Sequence, residues 1–282
     1  MVDHGRISGQ ISPPALLVRE LDVPGAQQNL AARLVAPAAG PIATGLIVFF
    51  HQGGFIAGSL DESDEFVRAL ARRTGLPVLA STYTLAGRRP FPAAVEDAYA
   101  VLRWCVQQNT LLGWNGSRLI TAGIEAGGNL AAVSALVARD RGGPALAAQM
   151  LIMPMLDPGL SSGSMRALKT GPGVAGVADF CAAGYRGYLP RAADRMHPYA
   201  SPLQSSRLKG LPPALILSAE DDPLRDEAEQ YGARLIASGT RTLVRRLPAL
   251  PLQDGAARCK CAQEASALDE IAGFISELEL PF

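Results

Sequence analysis

The chain has 282 residues, enough for one large α/β domain with a substantial core. Lys+Arg and Asp+Glu are both 26, so the formal net charge is zero and no basic field is present for nucleic acid. No apolar stretch reaches the length of a membrane span, the start MVDHGRISGQ lacks a secretory pattern, and Cys259 and Cys261 sit too close for an ordinary bridge or a paired metal knuckle. A cytoplasmic protein with idle thiols, no metal and no cofactor is the expectation.

In chain order, Leu16 to Leu21 and Leu30 to Val35 flank the turn residues Pro24 and Gly25, which predicts an antiparallel pair. Short apolar runs unbroken by charge follow at Gly45 to Phe50, Pro77 to Ser81, Leu119 to Ala122, Ala148 to Met153 and Ala214 to Ser218. Strands covered on both faces read this way. Thr242 to Leu247, interrupted by two arginines, is a weaker final strand. Between the runs, helical spacing marks Phe66 and Leu70, then Ala94 to Cys105, Leu130 to Val137 and Ala265 to Leu278. The alternation predicts an α/β fold, a mostly parallel doubly wound sheet with its site at the carboxyl ends of the strands. Residues 1–282 read as one domain. Asp157 to Pro190, rich in Gly, Ser and Ala, breaks the rhythm and reads as a small cap inserted over residues 155–200, or else as a long surface loop.

Three motifs fall at strand ends. HQGGFIAG, His51 to Gly58, places adjacent glycines where backbone N–H groups can approach an anion; a tight turn that needs glycine is the plainer reading. TAGIEAGGNLAA, Thr121 to Ala132, fits a sharp strand-turn-helix elbow that displays residue 125 beside a helix N-terminus. In AEDDPLRDEAEQYGARL, Ala219 to Leu235, an acidic pair follows a strand and Pro223 starts a helix.

With Tyr83, Leu85 and Ala86, PFPAAVEDAYAVLRW from Pro90 to Trp104, and PYASPL from Pro198 to Leu203, these motifs resemble the hormone-sensitive-lipase family of carboxylesterases. That resemblance implies an α/β-hydrolase fold with HGGGF, GDSAGG, DPLRDE and a late HGF in this order. It maps the oxyanion donors onto the amides of Gly53, Gly54 and Ala126, with His51 and Gln52 lining the same pocket, and the catalytic acid onto Asp222. Where the family carries its serine the chain has Glu125, and the late histidine falls at Leu252 or Gln253. The family's Arg and Glu of YRLAPE become Thr84 and Arg88.

A serine esterase needs a nucleophile, a base and an acid that orients the base. The expectation from these positions is a binding or scaffold role around a pocket for a small, mainly apolar ligand, with ordinary ester hydrolysis absent. An enzyme of altered chemistry, a lyase, cyclase, isomerase or unusual hydrolase using Glu125 with the oxyanion hole, is the alternative, and a conventional carboxylesterase comes last. His51 as a substitute base competes with a plain backbone-bonding role. Glu125 is expected to plug the site, its pKa lowered by the oxyanion amides. A homodimer or protein partner could cover the reduced cap.

Overall fold

In the computed structural model, which describes residues 15–167, 174–249 and 257–278, the charge-free runs form the centre of one eight-stranded sheet. The strands are β1 (Leu16–Pro24), β2 (Asn29–Pro37), β3 (Ala43–Phe50), β4 (Val78–Ser81), β5 (Trp114–Ile124), β6 (Ala148–Ile152), β7 (Ala214–Ala219) and β8 (Thr242–Leu247). Their order is β1-β2-β4-β3-β5-β6-β7-β8. β1 and β2 are antiparallel, from Leu16 opposite Pro37 to Pro24 opposite Asn29, and β2 is antiparallel to β4. All other neighbours are parallel, so β3 to β8 point their carboxyl ends the same way.

Alternation along β3 shows how the core divides. Leu46, Val48 and Phe50 face one layer with α2 (Ala93–Gln107), α4 (Ala126–Asp140) and α7 (Arg225–Ala237), whereas Ile47 and Phe49 face the other with α1 (Leu60–Thr74), α8 (Ala257–Gln263) and α9 (Ala265–Glu277). Each such residue is buried, contributing roughly 1.5–3 kcal/mol relative to exposure. Strand β8, at the edge, leaves Arg245 and Arg246 exposed, as its two arginines imply. Helix α1 starts at Ser59, whose hydroxyl accepts from the Glu62 amide, and ends at Gly75 in the left-handed region.

The remaining helices are α3 (Asn109–Leu112), α5 (Gly163–Ala167) and α6 (Val174–Tyr188). Sequence periodicity is too short to reveal α3 and α8. Pro223 lies before a helix rather than in it: α7 begins at Arg225, and the Asp222 carboxylate accepts from the Leu224 amide at 2.8 Å, closing the turn. Among the described residues no helix is long and apolar enough to cross a membrane.

Candidate active site at the strand ends

The loops after β3, β5 and β7 converge because their strands are parallel and adjacent through β6. The elbow after β5 is tight enough to require glycine twice. A Cβ on Gly123 would stand 2.1 Å from the Gly127 carbonyl oxygen, and one on Gly127 would stand 1.9 Å from that of Phe50. Between them Glu125 has φ 56° and ψ −112°, a costly conformation for a residue with a Cβ. Its backbone is fixed on both sides: the N–H donates to Ile152, and the carbonyl accepts from Asn129 and Met155 at 3.1 and 3.0 Å.

This turn delivers the Glu125 carboxyl to the loop after β3. Oε2 accepts from the Gly53 amide at 2.9 Å, while Oε1 is buried without a partner among the described residues. The residue is 3% exposed, and burial pushes its pKa above the usual glutamate range. Arg258 and the Gly53 and Gly54 amides pull in the opposite direction, and Asp222 adds to the rise. The expectation of a lowered pKa is therefore corrected. Amides and a helix N-terminus stabilise the anion, but withdrawal of the carboxyl from water outweighs them.

Asp222 lies just beyond β7 with its side chain fully buried. Its partner is Arg258, whose Nε and Nη2 reach Oδ2 and Oδ1 at 2.7 and 3.1 Å. Sequence reading missed this arginine. In α8 it lies on the same buried face as Cys261 and Ala262, with Lys260 outside, an orientation that seven residues of sequence do not reveal. Leu252 and Gln253, the two positions expected to match the family's histidine, lie outside the described residues.

His51 is a neutral structural imidazole. Burial lowers its pKa, Nδ1 sits 2.6 Å from the Gln52 carbonyl oxygen, and the ring stacks on Tyr83 at 4.4 Å. The Tyr83 hydroxyl donates to the His51 carbonyl, locking the loop. Gln52 points toward α8, where its Oε1 accepts from the Cys259 thiol at 3.3 Å. Gly53 and Gly54 have φ 126° and 59°, and a Cβ on Gly53 would meet the Ala57 carbonyl at 2.2 Å. Ala126 is buried as the first residue of α4. Thr84, in place of the family's arginine, donates its amide to Asp97, which also accepts from Ala26.

Helix α6 closes over this loop. A Cβ on Gly184 would stand 2.5 Å from the Gly54 carbonyl, and Tyr188 stacks on Phe55 with ring centroids 3.9 Å apart. Cys181 is buried on the same helix, and burial pushes its thiol pKa up. Among the described residues no group of His, Cys, Asp and Glu is arranged to hold a metal ion.

The α/β-hydrolase fold family pattern matches residues 47–252. The chain is 38% identical over 239 residues to the carboxylic ester hydrolase LipN of Mycobacterium tuberculosis, covering 83% of this chain and 63% of LipN. It is also 38% identical over 195 residues to the carboxylesterase NlhH of that organism, covering 69% of this chain and 61% of NlhH. The chain thus spans less than two thirds of the length of these relatives. An esterase structure from Pyrobaculum calidifontis superposes with a TM-score of 0.85 at 34% identity, covering 96% of this chain and 88% of that one. These findings overturn the expectation of a binding or scaffold role with ordinary ester hydrolysis absent. Relatives 34–38% identical over most of the chain are named as ester hydrolases, so the reading placed last on the triad positions is the one they favour.

Proposed function

The chain belongs to the α/β-hydrolase fold family, in its hormone-sensitive-lipase-type carboxylesterase group, and on that premise we propose that it hydrolyses carboxylic esters with the Glu125 carboxyl as its working group. The observation that carries the reading is the position of Glu125 at the elbow, against the Gly53 amide, in a buried setting that raises its pKa. A base is most effective when its pKa lies near the working pH, and burial moves a glutamate in that direction.

In the proposed reaction, Glu125 takes a proton from water as the hydroxide oxygen adds to the ester carbonyl carbon. The developing oxyanion is held by the amide of Ala126, joined by those of Gly53 and Gly54 once Glu125 turns toward the water. Collapse of the tetrahedral species breaks the C–O bond to the alcohol, whose alkoxide recovers the proton from Glu125. Ester and water become acid and alcohol, and the enzyme returns to its starting state. Direct attack by Glu125 would instead give an acyl anhydride that still needs a base for its release, so water activation is the shorter route.

His51 takes no part, since its ring is committed to the Gln52 carbonyl and Tyr83. Helix α6 serves as the cap, and Phe55, Cys181 and Tyr185 supply an apolar boundary suited to a small, mainly apolar ester. The four buried free cysteines support a reducing, cytoplasmic setting. A second copy of the chain covering the reduced cap completes the proposal.

The test is hydrolysis of p-nitrophenyl acetate and butyrate by the purified protein and by Glu125→Gln. Turnover above buffer that disappears in the variant supports the reading; wild-type protein indistinguishable from buffer sinks it.

A further inference from the structure

Arg258 is absent from the motifs that carry the family resemblance, and the reaction above assigns it nothing. Its guanidinium is nevertheless buried, forked onto both oxygens of Asp222, which the Leu224 amide holds in turn. Glu125 and Asp222 are both buried, and α8, which carries Arg258, meets the loop that holds Glu125 through the Cys259–Gln52 contact; buried like charges resist joint ionisation.

We propose that Arg258 is the positioning residue of this site: it fixes Asp222 and cancels that carboxylate's charge beside Glu125, so that Glu125 can release its proton and act as a base. The inference rests on the ester-hydrolase reading and deepens it. The groups facing Glu125 from the surrounding elements single out this side chain. Tyr83, Cys181 and Cys259 are neutral, their pKa values all pushed up by burial, that of Cys259 to about 12. His51 is neutral because burial pushes it down. The Gly53 and Gly54 amides are dipoles, and Asp222 opposes ionisation. Among these described groups Arg258 supplies the positive charge: burial works against it, but Asp222 and then Glu125 hold its pKa above the ordinary arginine value.

The experiment follows the Glu125 carboxyl carbon by NMR titration in glutamate-labelled protein, the signal being assigned by its loss in Glu125→Gln. Arg258→Met should move the midpoint up by about one pH unit or more, and Arg258→Lys should leave it near wild type. Removing both charges in Arg258→Met with Asp222→Asn should bring it back toward wild type. Asp222→Asn alone should lower it, a result that remains available if Arg258→Met does not fold. Midpoints that ignore these charges would overturn the proposal, as would a double variant that behaves like Arg258→Met. The rising limb of kcat/KM in ester hydrolysis should move with the NMR midpoint. If the midpoints move as expected while no variant, wild type included, turns over ester, the positioning role stands and the hydrolase reading falls.

Discussion

Arg258 grips both carboxylate oxygens of Asp222 in a pair whose side chains are 10% and 0% exposed. Truncating one partner of a buried pair strands the other charge, whereas replacing both with apolar groups does not. Asp222→Ala should therefore cost about 3–5 kcal/mol in urea unfolding, and Asp222→Leu combined with Arg258→Met much less. Equal losses in the two variants would show that the pair is not the source of the penalty.

Glycine is needed at the elbow and not everywhere. Gly127→Ala places a methyl 1.9 Å from the Phe50 carbonyl, so the elbow must open, at a cost of roughly 1–3 kcal/mol or more. Gly273, exposed within α9, has nothing within 4 Å of its would-be Cβ, and Gly273→Ala should add about 0.4–1 kcal/mol. Thermal unfolding of both variants checks the contrast, and a neutral Gly127→Ala would contradict the elbow geometry.

The raised pKa of Glu125 has a definite consequence for stability. Between the ordinary glutamate value and the folded value, the native state keeps a proton that the unfolded chain has released. Stability therefore falls as pH rises through that window, and the loss is complete above the folded pKa. Glu125→Gln removes the penalty, so its Tm advantage over wild type should be smallest in acid, grow through the window and then level off. An advantage that shrinks with rising pH would mean that the carboxyl is favoured as an anion.

Phe55 connects the loop after β3 to α6 through its stack on Tyr188, with planes 6° apart. Phe55→Ala should cost about 3–5 kcal/mol and speed amide exchange in α6 more than in α4. Uniform acceleration across both helices would argue against a cap held by this contact.

Much of this was legible in the sequence for physical reasons. Strands β3, β4, β6, β7 and the part of β5 from Leu119 onward are buried almost throughout and carry no charge, so they stand out, and the glycines around Glu125 mark a turn that no other residue fits. Arg258 was hidden because its partner Asp222 lies 36 residues earlier, and spacing alone does not show which face of a seven-residue helix turns inward. The direction of the Glu125 pKa was misread for a related reason. Amide donors and a helix N-terminus can be counted along the chain, but the depth of burial that outweighs them is set by α6 and α8 closing over the site. The inference from Glu125 and the segment around Gln253 to a non-hydrolytic role failed against relatives named as esterases. Residue identity at the triad positions left open the chemistry available to a carboxyl in the same place.

The most direct measurement is kcat/KM for p-nitrophenyl butyrate as a function of pH, in wild type and in Glu125→Gln. The expected profile rises through a single ionisation with its midpoint above about 4.3, the value of an unperturbed glutamate, and the variant loses both the limb and the rate. Wild-type rates no faster than buffer, or a profile unchanged by Glu125→Gln, would contradict the assignment of Glu125 as the working group.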